Sequence, residues 1–230
     1  MDHKLSDFDD EYFSKRESSA SKRKQMHLLD YRWVRNNLPS FKGNQLSIID
    51  IGCDDGGFLT LFEDSVFTKY GIEPNSSRAE IALKNGITII KNLEEIQALD
   101  IAIIRGTLHH IPNASELIHS ISQILSNSNG SFFILANPNA ESWLYRRFKR
   151  LPMLEDSSEF TSIYKVFGAK TLKREMENLG YRVKISFPYL KSPYALPFVD
   201  LPSVLIGIII KKYVARPFPR NIFNMLASKG

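Results

Sequence analysis

The 230-residue chain has a single cysteine, Cys53, which excludes an internal disulfide and a zinc site built from several cysteines. We predict that Cys53 is a small packing residue.

The first thirty residues are polar and charged, so we expect no secretory signal and a cytoplasmic location. No G-x-x-x-x-G-K-[ST] sequence occurs, which excludes a phosphate-binding P-loop. The adjacent His109 and His110 have no third ligand spaced nearby, so we expect no metal site.

The chain alternates short apolar runs with helix-like segments, which predicts an α/β fold. The apolar runs do not alternate with polar residues, as is typical of strands buried on both faces. The strands are predicted at Leu46–Ile51, Tyr70–Glu73, Ile87–Ile90, Ile101–Arg105, Ser131–Ala136, Arg182–Phe187 and Ile222–Ala227. The helices are predicted at Ser21–Leu38, Gly57–Asp64, Asn75–Lys84, Ala114–Leu125 and Lys170–Leu179.

The predicted organisation is an N-terminal arm and helix over residues 1–40, acting as a lid, followed by a main domain over 41–230. Two insertions, at about 138–168 and 188–219, are expected on the substrate side. The second holds more than half of the eleven prolines and an apolar centre followed by Lys211 and Lys212. Four roles stay open for it: a peripheral membrane contact through 196–213, a cover for the active site, a homodimer contact, or simple packing on the core.

The segment Asp50–Gly57 is a glycine-rich turn between a buried strand and a predicted helix, which is how nucleotide-like cofactors are held. In the dinucleotide pattern G-x-G-x-x-G, Asp54 stands where the second glycine lets a pyrophosphate approach. At an effective dielectric near 20, two like charges about 4 Å apart repel by roughly 4 kcal/mol. The turn therefore disfavours NAD, FAD and nucleoside triphosphates, whereas S-adenosyl-L-methionine has no phosphate and two cationic groups.

The run Asp50-Ile51-Gly52-Cys53-Asp54-Asp55-Gly56 resembles motif I of the class I S-adenosylmethionine-dependent methyltransferases, with Asp54 replacing a glycine. The resemblance implies a doubly wound, seven-stranded, mostly parallel Rossmann-like sheet with an antiparallel final strand. It also implies S-adenosyl-L-methionine as cofactor, with Glu73 accepting both ribose hydroxyls. The cofactor-binding residues implied are Asp50, Gly52, Cys53, Asp54 and Gly56 of the turn, Glu73 and Pro74, Asn92 and Leu93 at the adenine, and Arg105 and Gly106 at the methionine end.

The run Leu108-His109-His110-Ile111-Pro112 resembles the segment that lines the acceptor pocket in small-molecule methyltransferases of this class. His109 is the predicted catalytic base, with structural packing as the alternative. His110, Tyr145 and Tyr164 are predicted to line the acceptor site. The C-terminal half is similar to methyltransferases of bacterial surface-polysaccharide synthesis, which implies a small-molecule or glycan hydroxyl as acceptor, at the inner membrane face if the acceptor is lipid-linked.

Two other functions stay open. The net charge of +5 would suit an RNA methyltransferase. However, Asn137-Pro138-Asn139 lacks the second proline and the aromatic of N-P-P-[YF], so nucleic acid is not the expected partner. The missing glycine at Asp54 would suit a catalytically silent, S-adenosylmethionine-binding assembly subunit.

Overall fold

A computed structural model describes residues 20–38, 45–125, 130–142, 146, 163–187 and 222–229. Tyr145 and the segment 188–219 lie outside these residues. The described strands are β1 Leu46–Ile51, β2 Phe67–Ile72, β3 Thr88–Ile89, β4 Ile101–Arg105, β5 Ser131–Pro138, β6 Tyr181–Ser186 and β7 Ile222–Lys229. The described helices are α1 Ala20–Arg35, α2 Ser76–Lys84, α3 Ala114–Ile124 and α4 Ala169–Asn178.

The strands form one seven-stranded sheet in the order β3-β2-β1-β4-β5-β7-β6. β1 pairs in parallel with both β2 and β4, and β4 pairs in parallel with β5. β7 is antiparallel to its neighbours β5 and β6. The predicted fold class, a mostly parallel Rossmann-like sheet with an antiparallel final strand, is confirmed.

The sheet has an apolar core on each face, because successive strand residues point to opposite sides. In β1, Ile48 belongs to one core and Ile49 to the other, and Ile103 and Ile104 divide in the same way in β4. Helices α3 and α4 cover the face of Ile49 through residues such as Ile118. Helices α1 and α2 contribute to the core on the face of Ile48. The central strands are therefore buried on both sides, as their continuous apolar sequences predict.

The predicted helix over Gly57–Asp64 is wrong: this stretch forms only a short 3₁₀ turn, Leu59–Leu61. Asp55 Oδ1 accepts the Gly57 N–H at 2.9 Å, so the preceding turn continues to Gly57. Paired glycines also disfavour a helix start on entropic grounds. Phe58, Leu59 and Phe62 are buried in the core under the turn, which anchors the segment by packing rather than by helix.

Candidate active site

The crevice for a ligand lies where the strand order reverses, between β1 and β4. Ligands of open α/β sheets bind outside the carboxyl ends of the strands at such a point. Ile51 pairs with Ile104 at the ends of these two strands. Gly52 and Arg105 are the next residues on either side, so the glycine turn and Arg105 flank the crevice.

The turn has the backbone of a three-glycine loop although it contains an aspartate at the middle position. Gly52, Asp54 and Gly56 have φ angles of 77°, 55° and 73°, all in the left-handed region. Aspartate tolerates this region better than most residues because its short side chain can bond locally. A Cβ at Gly52 would lie 2.6 Å from Thr107 Cγ2, so this position also requires glycine for space. The departure at Asp54 therefore does not change the path of the loop.

Glu73 joins the turn to the start of α2. Its Oε2 accepts the N–H of Asp54 at 2.8 Å, and its Oε1 accepts the N–H of Asn75 at 2.9 Å. Burial raises the pKa of Glu73, although these two backbone N–H groups oppose the shift. Each carboxylate oxygen keeps a second lone pair. Glu73 can therefore hold the turn and accept ligand hydroxyls at the same time.

The carboxylates of Asp54 and Asp55 are paired with two arginines. Arg78, from α2, contacts Asp54 through Nε and Asp55 through Nη2, the latter at 2.8 Å. Arg23, from α1, lies 3.3 Å from Asp54 Oδ2 and 3.5 Å from Asp55 Oδ2. These two carboxylates do not repel phosphate as the sequence suggests, because their charge is balanced by arginines inside the protein.

Helix α1 lies along the edge of the crevice and contacts it with three turns. Arg23, His27 and Asp30 share one face of the helix. The His27 ring packs edge-on against Phe58, with centroids 5.9 Å apart. Burial, followed by the charges of Arg105 and Arg23, lowers the pKa of His27 to about 3, so this ring is neutral. Arg105 Nε donates to Asp30 Oδ2 at 2.9 Å.

Arg23, His27, Asp30 and Arg78 were not among the residues predicted from the sequence. The i, i+4, i+7 spacing of Arg23, His27 and Asp30 in α1 was a readable signal, because it puts three polar side chains on one helical face. The sequence could not show which segment that face would contact.

Asp50 is the acidic residue of this edge with an unsatisfied oxygen. It is 2% exposed, and its Oδ1 has no hydrogen-bond partner among the described residues. Burial raises the pKa of Asp50 well above its usual range, and the nearby Arg105 guanidinium opposes this. A buried carboxyl oxygen without a partner is costly, so this position suits a ligand that brings a hydrogen-bond donor or a positive charge.

On the acceptor side, His109 is buried in the 3₁₀ turn Leu108–His110 that follows β4. Burial, assisted by the neighbouring His110, lowers the pKa of His109 to about 3, and its Nδ1 has no partner among the described residues. The two rings lie 3.9 Å apart. Tyr164 is 53% exposed, and its backbone N–H donates to the His109 carbonyl at 3.0 Å. His109 is thus a neutral ring held under the segment that carries Tyr164.

The carboxyl end of β5 is irregular beside this histidine turn. The pairing with β7 shifts between Ile134 and Asn137, and Ala136 has a φ of 51°. The Ala136 N–H donates to Asn224 Oδ1 at 2.8 Å, which holds this strained backbone. Asn137 is 1% exposed, and its Oδ1 has no hydrogen-bond partner among the described residues. The ends of adjacent strands therefore carry two buried, unsatisfied polar atoms, on His109 and Asn137.

The remaining predicted residues are distributed around the same edge. Pro74 is exposed between Glu73 and α2. Gly106 has a φ of 65° and donates its N–H to the Leu135 carbonyl. Asn92 is exposed and caps the short turn Leu93–Glu95, while Leu93 packs against the core. Cys53 is buried against Gly71, as expected of a packing residue.

Comparison with known proteins decides the family. The sequence profile of a family described as a methyltransferase domain matches residues 11–184. The chain belongs to this methyltransferase family. No curated protein sequence matches it significantly.

The fold is shared by solved structures of other methyltransferases. A methyltransferase from Thermotoga maritima, described as a possible histamine N-methyltransferase, is 16% identical with a TM-score of 0.62, over 96% of this chain and 97% of that one. A methyltransferase from Archaeoglobus fulgidus is 23% identical with a TM-score of 0.61, over 88% and 94%. The plantazolicin methyltransferase BpumL, solved with a desmethylPZN analog and SAH, is 16% identical with a TM-score of 0.56, over 95% and 87%.

The cofactor of this methyltransferase is S-adenosyl-L-methionine, of which SAH is the product. The site fits this molecule on its own chemistry. Glu73 presents carboxylate lone pairs for a ribose, and the unsatisfied Asp50 oxygen suits a cationic group. The described residues contain no group of three or more His, Cys, Asp and Glu side chains that could hold a metal ion. No helix in the described ranges is long and apolar enough to cross a bilayer.

Proposed function

We propose that this methyltransferase transfers a methyl group to the hydroxyl of a small-molecule or glycan acceptor, a sugar of bacterial surface-polysaccharide synthesis being our leading candidate. When bound, S-adenosylmethionine supplies an electrophilic methyl carbon, so the protein mainly has to position and desolvate the acceptor. The observation that carries the proposal is the unsatisfied His109 Nδ1 at the carboxyl end of β4. It supports a protic acceptor, because a neutral imidazole can receive the proton of an attacking hydroxyl.

The low pKa of His109 is compatible with this role. The O–H group of the acceptor becomes strongly acidic as its oxygen bonds to the methyl carbon. Even a weak base can therefore take the proton late in the reaction. Asn137, at the end of the neighbouring strand, adds a buried side-chain amide oxygen that has no hydrogen-bond donor among the described residues. A hydroxyl can donate and also accept, whereas an apolar group would leave these atoms unsatisfied.

The balanced charges of the turn weigh against an RNA acceptor. Arg23, Arg78 and Arg105 all form ion pairs with aspartates at the crevice. Within the described residues, this edge therefore offers no cluster of uncompensated arginines for a phosphate backbone.

The test measures transfer of a labelled methyl group from S-adenosylmethionine to matched sugar and amino-sugar acceptors. The rates of the wild type and of the His109→Asn variant are compared. We expect methylation of the sugar hydroxyl, with a rate in the variant lower by about 10²-fold or more if His109 is the base. Methylation of the amino group alone contradicts the hydroxyl proposal. Salt-sensitive methylation of RNA supports the first alternative, and SAH binding without turnover on any acceptor supports the silent subunit.

We also propose a cytoplasmic location, peripheral to the inner membrane through residues 196–213, which lie outside the described residues. Fractionation of cells expressing the full chain and a variant with Lys211 and Lys212 changed to Gln tests it. Equal recovery of both proteins in the soluble fraction contradicts membrane contact.

A further inference from the structure

Asp30 and Arg105 form a buried ion pair between two segments far apart in the sequence. Arg105 Nε donates to Asp30 Oδ2 at 2.9 Å, and the two side chains are 12% and 2% exposed. A buried ion pair is weak grounds for stability, because desolvating both charges offsets much of their attraction. The ion pair matters instead at the crevice, where it holds the Arg105 side chain.

Arg105 is held in a defined orientation at the reversal point of the sheet. It ends β4, one residue after Ile104, whose partner is Ile51. Its guanidinium lies over the Phe58 ring at 5.4 Å from the centroid. The neighbouring ring and the hydrogen bond from Nε to the Asp30 carboxylate together restrict the guanidinium. A rigid guanidinium of this kind loses little freedom when it binds a second anion.

Asp50 and Arg105 lie on the same face of the sheet. Asp50 pairs with Ile103, two residues before Arg105, and residues two apart in a strand share a face. Asp50 therefore puts a carboxyl group with an unsatisfied oxygen beside the fixed Arg105 cation. The amino-acid end of S-adenosylmethionine carries an ammonium and a carboxylate, the complementary arrangement.

We propose that Asp30 is a positioning residue for cofactor binding, which acts through Arg105 to orient it toward the carboxylate at the amino-acid end of the cofactor. The proposal rests on the S-adenosylmethionine cofactor and does not depend on which acceptor is methylated. It also gives α1 a part in the site, because the helix supplies the carboxylate that orients an arginine of β4.

The test compares two ligands that differ at the amino-acid end. SAH has the carboxylate and the ammonium, whereas 5′-methylthioadenosine keeps the adenosine and the thioether and lacks both. Isothermal titration calorimetry gives the Kd of each ligand for the wild type and for Asp30→Asn, a substitution of equal size. We expect Asp30→Asn to weaken SAH binding by about tenfold or more and 5′-methylthioadenosine binding by less than about threefold, because only a charge-assisted contact is lost.

Arg23→Gln is the control, because it removes a contact between the same helix and the glycine turn without touching Arg105. It should change the affinities for both ligands by a similar factor, and Asp30→Glu should recover part of the SAH affinity. Asp30→Asn overturns the proposal if it leaves SAH binding unchanged or weakens both ligands equally. If Asp30→Asn does not fold, Asp30→Glu decides, because it keeps the charge and displaces the carboxylate that holds Arg105 Nε: a loss confined to SAH supports the proposal, and unchanged SAH binding or an equal loss for both ligands overturns it. A wild type that binds neither ligand overturns the cofactor assignment and the proposal with it.

Discussion

Replacing Glu73 by glutamine tests whether this carboxylate binds the cofactor ribose. The side chain already accepts the N–H groups of Asp54 and Asn75, at 2.8 and 2.9 Å. Glutamine keeps one acceptor oxygen but introduces an NH₂ group that faces a backbone N–H. The glycine turn is therefore expected to loosen, and the total loss of affinity would mix this effect with the loss of ribose contacts.

A comparison of ligands separates the two effects. A hydrogen bond to a charged group contributes about 1.5–3 kcal/mol. Removing the ribose 2′-hydroxyl from SAH should therefore weaken binding to the wild type by about 10- to 150-fold. In Glu73→Gln the same removal should cost about threefold or less, since the charged partner is already gone. This is a double-mutant cycle with one change made in the ligand.

Isothermal titration calorimetry of SAH and its 2′-deoxy analogue supplies the four affinities. Asp55→Asn is the matched control, because Asp55 accepts the Gly57 N–H in the same turn and does not contact Glu73 in the described hydrogen bonds. It should weaken both ligands while keeping the wild-type discrimination between them. If Glu73→Gln still discriminates as strongly as the wild type, the ribose role of Glu73 is refuted.

Three further predictions concern the titratable side chains Asp50, Asp54 and His109. Burial raises the pKa of Asp50 above its value in the unfolded chain. Between these two pKa values the folded state binds more protons than the unfolded state, so the free energy of unfolding falls as pH rises. Asp50→Asn should therefore raise the Tm of the ligand-free protein more at pH 8 than at pH 5 and weaken S-adenosylmethionine binding; a Tm gain equal at both values contradicts the linkage. Asp54→Gly should lower the Tm measured by calorimetry, because relief of the left-handed φ is worth about 1 kcal/mol while the buried Arg78 loses one of its two carboxylates; a more stable variant would show that strain dominates. The pKa of His109, about 3, implies that stability falls as pH decreases from 6.5 toward 3, so the slope of Tm against pH in that range should be shallower in His109→Asn, and an unchanged slope argues against a neutral, buried ring.

The strands at the centre of the sheet were predictable because burial on both faces leaves a continuous apolar sequence. Leu46–Ile51 and Ile101–Arg105 occur with the predicted bounds. The strand β5 runs two residues past its prediction, because a bulge lets Asn137 and Pro138 pair with β7. Apolar content reports burial, whereas such an extension depends on a partner strand more than eighty residues away.

The glycine turn was predictable in position but not in its electrostatics. Its residue pattern gave the site and the family resemblance. The pairing of Asp54 with Arg23 and Arg78 joins residues 31 and 24 positions apart, and that of Asp30 with Arg105 spans 75. Sequence periodicity shows that a polar side chain lies on a given helical face. It does not identify the charge that this face will meet.

The preference for a phosphate-free, cationic cofactor does not come from Asp54 and Asp55 of the turn, as the sequence suggests. Asp54, Asp55 and Asp30 are balanced by Arg23, Arg78 and Arg105. Asp50 and Glu73 remain, and burial raises the pKa of both. An ammonium placed beside Asp50 would stabilise its ionised form, whereas the negative charge of a pyrophosphate there would oppose that ionisation. Glu73 is assigned to the ribose, which both kinds of cofactor have. The selection against phosphate therefore depends on Asp50, with Asp54 serving to hold the turn and to contact α1.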